Sequence, residues 1–255
     1  MSLVESLLNN QPNYDSNAPL LPIMHSCECF DARGILNSRV LEARLCKVFN
    51  EKLVYFYYGK PSYPVGEKVL EHRTDTEYYP VCFIVDPKII SIYKVYPFDS
   101  GAFKQNIYGD FLHRNMDINQ FEIPNNIHAI QKYVSYMFGT NDNYLDGSAV
   151  HREHTGNPYI DSLININTAK GTMKFDERAR TIEVISNSDI NIASAVKCVI
   201  LPKNLLQDNN IVKFLKENNI DIIDYRTRQL VHPTKYYSQI FELAISYIET
   251  HWEGS

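Results

Sequence analysis

The amino-acid sequence predicts a single domain of the α+β class, in which strands and helices share one core. The chain has 255 residues, enough to bury a sizeable core, and no repeat, low-complexity linker or change in composition divides it. Its hydrophobic content of 44% and charged content of 22% are typical of globular proteins. Short apolar runs alternate with stretches whose apolar residues recur every three or four positions, which indicates strands and helices in one domain.

The first 96 residues are predicted to supply four strands. Residues 1–19 are polar and are expected to form a loosely ordered lead-in, so that the domain spans residues 20–255. The predicted strands are residues 21–25, 53–58, 79–85 and 89–96, and the last two form a hairpin. Residues 28–36 favour a short helix. A helical spacing continues beyond it at Leu41, Leu45 and Val48.

The second part of the domain begins with a long insert around residues 97–178. Within the insert, four apolar residues recur at helical spacing: Ile127, Ile130, Val134 and Met137. Asn125 or Asn126 can cap this helix and Gly139 can end it. Residues 140–161 form a polar loop. The remaining predicted elements are strands at 179–186, 195–201 and 221–225, a helical segment at 205–215 and a last helix from Pro233.

A tyrosine-rich strand is the most informative element. Residues 53–58 are apolar or aromatic throughout, and Gly59 and Pro61 end the run. The chain holds 18 tyrosines against one tryptophan, and a strand that presents tyrosines beside a glycine offers a flat aromatic face to a planar ligand. Because side chains alternate along a strand, one of Tyr57 and Tyr58 can face a given pocket. The alternative is that both are ordinary sheet residues.

Two further segments carry polar groups that such a ligand could use. The first strand ends in His25 and Ser26, whose imidazole and hydroxyl can pair with hydroxyl and amide groups, although a histidine satisfied near a strand end is the alternative. Glu183 stands on a mostly apolar strand, where a carboxylate is costly unless it is paired, exposed or used. Thr181 shares its face, so an ordinary solvated face also explains this pattern.

In their order along the chain, these segments resemble the ADP-ribosyltransferases of the His-Tyr-Glu type. The similarity consists of His25-Ser26, the helix through residues 34–37, the tyrosine-rich strand and the segment Thr181-Ile-Glu-Val184. DarT-like toxins that modify nucleic acid, and related phage-defence transferases, are the members it most resembles. The resemblance implies an ADP-ribosyltransferase-like fold, a split and strongly bent β-sheet with flanking helices and an NAD-binding crevice between its halves.

The resemblance also implies roles for individual side chains. His25 would hold the ribose next to nicotinamide, and Ser26 would orient the carboxamide. Tyr58, or Tyr57, would stack on the nicotinamide ring, with Tyr63 beside it in the cofactor site. Glu183 would bond a ribose hydroxyl and stabilise the positive charge that develops as nicotinamide leaves. An assisting arginine is expected too, for which the candidates are Arg33, Arg39 and Arg44.

The implied function is transfer of ADP-ribose from NAD to a macromolecule, with DNA or RNA as the expected acceptor, by a toxin or phage-defence effector that an antitoxin protein could restrain. The net charge is −5, so binding to nucleic acid would depend on a few local cations. The nearest to Glu183 in sequence are Lys170, Lys174, Arg178 and Arg180. The segment at residues 99–103 has no assigned role.

Two hypotheses from other classes compete with the transferase. One is a metal-dependent nuclease that uses Asp176 and Glu183, and the other is a catalytically silent module whose aromatic strand binds a partner protein. A zinc site is disfavoured, because the spacing of the nearby histidines and cysteines lacks a second clustered pair: His25, Cys27, Cys29, His151 and His154. The sequence contains no GxGxxG, GxxxxGK[ST] or GxSxG motif.

The compartment expected from the sequence is the cytoplasm. The five cysteines form no even disulfide framework, which favours a reducing environment. No apolar run approaches the roughly 20 residues that a membrane helix needs. Residues 1–16 lack the basic and apolar regions of a secretory signal.

Overall fold

The structure is a computed structural model that describes residues 1–10, 18–63, 75–151, 153–169, 177–228 and 231–252. It confirms the predicted class, a single α+β domain built around a bent mixed sheet. In the described part of the chain this sheet has eight strands, and a separate ribbon has two.

The strands are β1 (Ile23–Glu28), β2 (Val40–Leu41), β3 (Arg44–Cys46), β4 (Glu51–Tyr58), β5 (Pro80–Val85), β6 (Lys94–Tyr96), β7 (Glu183–Ser186), β8 (Ile190–Asn191), β9 (Val196–Pro202) and β10 (Asp221–Tyr225). The α-helices are α1 (Leu3–Asn9), α2 (Cys29–Ser38), α3 (Ser100–Lys104), α4 (Ile127–Phe138), α5 (Asn141–Leu145), α6 (Pro158–Thr168), α7 (Ile192–Ala195), α8 (Asn209–Glu217) and α9 (Tyr237–His251). Short 3₁₀ turns include Thr76–Tyr78, Glu177–Arg180, Lys203–Gln207 and Pro233–Tyr236.

The sheet runs in the order β10-β9-β5-β1-β4-β7-β6, with β3 paired to β4. Its neighbours are antiparallel except β9 and β10, which are parallel. The central strand β5 has β1 on one edge and β9 on the other, and all six of its residues are buried. A strand enclosed in this way reads in sequence as an unbroken apolar run, which is why it could be predicted.

The sheet divides where β1 leaves β4. Both strands lie within the described ranges, and there they pair at two positions, Ile23 with Tyr58 and Met24 with Tyr57. In contrast, β1 follows β5 over its whole length. The other end of β4 pairs with β3 instead, through Glu51 to Leu53. The two halves of the sheet are therefore joined closely at one end and separated at the other.

Gly59 ends β4 as predicted, and its conformation requires glycine. Its φ of +71° is unfavourable for other residues. A Cβ atom there would lie 2.7 Å from Leu21 Cδ1 and 3.2 Å from Tyr144 Cε1. The chain thus turns sharply against the core, and this turn leads to Tyr63.

Helix α4 and the last strand also agree with the sequence analysis. Asn126 caps α4 by accepting a hydrogen bond from Ala129 N at 2.9 Å, and Gly139 follows the helix with a φ of +79°. The strand β10 has the predicted bounds. In α9, Ile240, Ala244 and Tyr247 face the core.

Three local predictions are wrong. Leu41 and Leu45 belong to strands β2 and β3 rather than to a helix, and Leu45 is exposed. The strand predicted at residues 89–96 is shortened to β6, which pairs with β7 instead of forming a hairpin with β5. The predicted loop at residues 140–161 contains α5 and the start of α6.

The expectation of a loosely ordered lead-in is also wrong over Leu3–Asn9, which form helix α1. Ser2 caps this helix by accepting from Glu5 N at 2.9 Å. Val4 and Leu8 are fully buried in the main core. Residues 11–17 of the lead-in lie outside the described residues.

Candidate functional site

A cavity of about 620 Å³ opens where β1 and β4 separate. Residues of strands β1, β3 and β4, of helix α2 and of the start of α9 line it. We call it the cleft. Its wall includes His25, Ser26, Cys27, Asp31, Arg44, Cys46, Val54, Tyr55, Tyr63, Tyr78 and Tyr237.

His25 spans the gap between the two separated strands. Its Nδ1 lies 2.9 Å from the carbonyl oxygen of Tyr55. A carbonyl oxygen accepts hydrogen bonds, so Nδ1 carries the proton in the neutral ring and Nε2 is left as an acceptor. Burial lowers the pKa of His25, against the opposing effect of the Tyr55 hydrogen bond and the Asp31 carboxylate. The neutral imidazole can therefore accept a hydrogen bond from a ligand hydroxyl.

Ser26 and Tyr63 lie together on the wall of the cleft. The Oγ atom of Ser26 accepts from Ser62 N at 3.2 Å, which fixes the turn after β4 against β1. Tyr63 donates its hydroxyl to the carbonyl of Val81 at 3.1 Å. Its ring stacks on that of Tyr237, with centroids 4.4 Å apart and planes inclined by 7°. The cleft thus has a rigid aromatic wall.

Of the three candidate arginines, Arg44 lines the cleft. Its Nη1 lies 2.8 Å from Asp31 Oδ1, and both side chains are exposed at the cleft wall. Arg33 pairs instead with Glu77 at 3.4 Å. The guanidinium of Arg39 lies over the ring of Phe214. Their positions therefore single out Arg44.

Glu183 occupies a different position, in the half of the sheet beyond β4. Its side chain is 1% exposed, and Oε2 accepts from Ser100 N at 3.2 Å. Burial raises the pKa of Glu183 well above its ordinary value, and the Asp99 carboxylate adds to this, while the hydrogen bonds from Ser100 oppose it. Among the described residues, those that line the cleft do not include Glu183, although Tyr55 of the same sheet half does line it.

Asp99 links Glu183 to its surroundings. Its Oδ2 accepts from Tyr57 Oη at 2.6 Å and from Arg178 Nη1 at 3.3 Å. Its Oδ1 caps helix α3 by accepting from Ala102 N at 2.6 Å. We call Tyr57, Asp99, Ser100, Arg178 and Glu183 the carboxylate cluster. All of these side chains are largely shielded from solvent.

Strand alternation divides the predicted site between two faces. The pairs Met24–Tyr57 and Tyr57–Glu183 place Ser26, Tyr57 and Glu183 on one face of the sheet. His25 and Tyr58 fall on the other. His25 and Ser26 nevertheless both line the cleft, together with Tyr63, because β1 and β4 are separated at this point. Tyr57 is paired with Glu183 instead.

The expected stacking role of Tyr58 does not fit its position. The side chain is fully buried, and its hydroxyl accepts from Leu21 N at 3.1 Å. The ring packs against that of Tyr144, whose hydroxyl donates to the Tyr58 carbonyl at 2.7 Å. Tyr57 does not fit the role either, since its hydroxyl is held by Asp99. Tyrosines that do line the cleft are Tyr55, Tyr63, Tyr78 and Tyr237.

No family model, curated protein or solved structure matches this chain. The geometry of the cleft and of the carboxylate cluster is therefore what bears on function.

The two described members of the expected basic patch beside Glu183, Arg178 and Arg180, do not form an exposed basic surface. Arg178 binds Asp99, and their side chains are 12% and 8% exposed. Arg180 donates to the carbonyls of Ile166 at 3.0 Å and of Ala169. Lys170, Lys174 and the nuclease candidate Asp176 lie outside the described residues.

The described part of the chain contains neither a cluster of metal-binding side chains nor a candidate membrane-spanning helix. There, no group of three or more His, Cys, Asp or Glu side chains is arranged to hold a metal ion. Within the same ranges, no helix combines the length and apolar character needed to cross a bilayer.

Sequence reasoning missed several residues of these sites. Tyr55 lies on the predicted tyrosine strand two residues before Tyr57, and alternation could have found it. Tyr237 and Cys46 come from predicted helical segments that carried no functional signal. Asp99 is an N-cap beside a Ser-Gly pair, a pattern that marks a helix start without indicating a buried carboxylate.

Proposed function

We propose that this protein is an NAD-dependent ADP-ribosyltransferase whose substrate site is the cleft between β1 and β4. The observation that carries the proposal is the separation of these two strands beyond Met24 and Tyr57, which opens a cavity at the position of His25 and Ser26. The split bent sheet expected from the resemblance would place its crevice at such a point.

The cleft suits a dinucleotide in size and in chemistry. Its volume of about 620 Å³ lies inside the range of roughly 300–1,000 Å³ that small-molecule sites occupy. The tyrosine wall offers a flat surface for a planar ring. Arg44 supplies a guanidinium, which is suited to phosphate oxygens. Its present partner Asp31 is exposed, so an exchange of partners costs little.

The residues of the cleft would orient the reacting sugar. The Nε2 atom of His25 accepts a hydrogen bond from a ribose hydroxyl, while its Nδ1 stays fixed to the Tyr55 carbonyl. Ser26 can pair with an amide group, since its hydroxyl both donates and accepts. In the reaction the glycosidic C–N bond of NAD breaks, nicotinamide leaves with the bonding electrons, and the acceptor loses a proton as it bonds to the sugar carbon.

Glu183 does not line the cleft, so it would supply the negative charge that this reaction needs from its buried position on the neighbouring strand. It lies on β7, paired with Tyr57 on the face shared by the cleft residues Tyr55 and Ser26. A fixed carboxylate stabilises positive charge that develops on the sugar carbon, and more strongly in a buried setting than in water. The positive ring of the bound substrate would favour the ionised form of this carboxyl.

The proposed acceptor is nucleic acid, as the resemblance implies. The proposed biological role is that of a cytoplasmic toxin or phage-defence effector, which an antitoxin protein would restrain. Because Arg178 and Arg180 are engaged within the fold, the phosphate contacts would come from other cations. Few contacts imply a shallow dependence of acceptor modification on salt.

The test is incubation of the purified protein with labelled NAD, with DNA, RNA or cell extract as acceptor. We expect release of nicotinamide and labelling of nucleic acid. Glu183→Gln should lower the rate by on the order of 10²-fold or more, because it removes the charge that stabilises the transition state. His25→Ala should weaken NAD binding, measured by calorimetry.

Glu217→Gln is the matched control, because this exposed carboxylate on α8 pairs with Lys213 on the protein surface. Folding raises the pKa of Glu183, because its buried site favours the protonated carboxyl. The contribution of this group to the free energy of unfolding is therefore greatest below its ordinary pKa and is lost as the pH rises. The Glu183→Gln variant should therefore be no less stable than the wild type at pH 7.

Unchanged NAD turnover in this folded variant would remove Glu183 from the mechanism, and absence of NAD binding by the wild type would overturn the proposed function. Labelled protein without labelled nucleic acid would contradict the acceptor class alone.

A further inference from the structure

Asp99 and Ser100 form the contact between the long insert and Glu183. The two residues follow β6 and start helix α3. Ser100 is fully buried and Asp99 is 6% exposed. The backbone N–H of Ser100 donates to Glu183 Oε2 at 3.2 Å, across 83 positions of sequence. Because the donor in this hydrogen bond is a main-chain group, its position depends on how the turn is held.

Asp99 holds that turn from three directions. Its Oδ1 fixes the start of α3 through Ala102 N. Its Oδ2 is fixed by the hydroxyl of Tyr57 on β4 and by Arg178 just before β7. The backbone adds a further tie, since Asp99 N donates to the carbonyl of Arg178 at 3.1 Å. The turn is thereby anchored to β4, the strand that pairs with β7, and to the 3₁₀ turn that precedes β7 in the chain.

We propose that Asp99 is the positioning residue of Glu183: it fixes the Ser100 N–H that binds the Glu183 carboxyl and sets a second, permanently placed carboxylate beside it. The catalytic meaning of this inference rests on the proposed function. The structural part, a pair of interacting carboxyl groups in the free protein, stands apart from any substrate.

The arrangement makes the charge on Glu183 sensitive to its neighbours. Two buried like charges repel, so the free protein favours one proton on Glu183, and burial acts in the same direction. The groups that face Glu183 are Tyr55 and Tyr57 from β4, Tyr96 from β6, Cys46 from β3, Asp99 before α3, and Arg178 through Asp99. A positively charged substrate ring would offset the repulsion and release the proton. Glu183 would then be ionised when the reaction requires it.

Asp99→Asn tests the proposal, because asparagine keeps an oxygen that can cap α3 while it removes the charge. The first measurement is the pH titration of glutamate side-chain carboxyls by ¹³C NMR, in which Glu183→Gln assigns the signal of Glu183. We expect the titration of Glu183 to move to lower pH in Asp99→Asn. Asp99→Ser, which also keeps a capping oxygen, should show the same shift and serves if the asparagine variant does not fold.

Tyr57→Phe is the matched control, since it removes a hydrogen bond to Asp99 but leaves both carboxyl groups. In Tyr57→Phe, the pH titration of Glu183 should shift less from that of the wild type than it does in Asp99→Asn. An unmoved Glu183 titration in both Asp99 variants would overturn the proposal. The second measurement is the acid side of the pH profile of kcat/KM for NAD cleavage, which should move to lower pH in Asp99→Asn. If the wild type cleaves no NAD, the proposed function fails while the NMR titration still decides the role of Asp99.

Discussion

Three tyrosines of one strand meet three different environments. Tyr55 lines the cleft, and its hydroxyl lies 2.7 Å from Cys46 Sγ. Tyr57 donates to the buried carboxylate of Asp99. Tyr58 fills the core between Leu21 and Tyr144. The residue type therefore does not determine the role of these tyrosines. Strand alternation separates Tyr58 from the other two, and the neighbours of each ring separate Tyr55 from Tyr57.

Tyr58→Ala and Tyr55→Ala should separate stability from ligand binding. Tyr58 is fully buried, so its truncation should lower the free energy of unfolding by about 3–5 kcal/mol, as expected for a core aromatic. Tyr55 is partly exposed in the cleft, so its truncation should cost less stability and weaken NAD binding. Urea unfolding and calorimetric titration measure the two effects. Equal stability losses, with NAD affinity unchanged in both, would show that Tyr55 is not a ligand wall.

At the scale of elements, the sequence could predict those that depend on their own residues. Helix α4 has an apolar stripe, a capping asparagine and a terminal glycine, and β5 has an unbroken apolar run. The failures involve elements that depend on distant partners. β6 cannot pair with β5, because β1 and β9 occupy both edges of that strand, and it joins β7 instead. β3 is set by β4, which outweighs the helical spacing of Leu41, Leu45 and Val48.

The candidate site shows the same limit. His25, Ser26 and Tyr63 lie on or beside recognisable strands, so their position at one cleft could be predicted, whereas their roles in binding stay predictions. The link between Asp99 and Glu183 joins the start of the insert to the strand that follows it, and no local pattern encodes such a contact. Which tyrosine faces the cleft depends on the separation of β1 from β4, a property of strand pairing that becomes visible in three dimensions.

The cap of α4 gives a prediction at this scale. Asn126 accepts from Ala129 N, whereas the side-chain amide of Asn125 lies 3.5 Å from the carbonyl oxygen of Tyr93 and caps no helix. Asn126→Ala should therefore lower the free energy of unfolding by about 1 kcal/mol, within the usual range of roughly 0.5–2 for lost N-caps. Asn125→Ala is the control and should cost less. Chemical denaturation of both variants measures the difference, and a larger cost at Asn125 would contradict the capping assignment.

At the scale of the whole molecule, the two ends of the chain contribute to one hydrophobic core. Val4 and Leu8 of α1 belong to the same buried cluster as Ile240 and Ala244 of α9. The single tryptophan, Trp252, donates its indole N–H to the carbonyl of Leu20 at 2.6 Å. The start of the domain is thus tied to the residue that follows its last helix.

This shared core predicts that α1 and α9 unfold together with the sheet. Leu8 is 2% exposed, so Leu8→Ala should lower the free energy of unfolding by about 2–5 kcal/mol, although it lies in a segment that the sequence assigns to a loose lead-in. Tryptophan fluorescence reports on Trp252, and far-ultraviolet circular dichroism reports on all elements. If the domain is one cooperative unit, both probes should give the same midpoint in the wild type and the same shift in Leu8→Ala. Leu7→Ala, at a partly buried position of the same helix, should shift both midpoints less. A tryptophan transition that precedes the circular dichroism transition would mean that α9 is released before the sheet, and that the core is less continuous than its packing indicates.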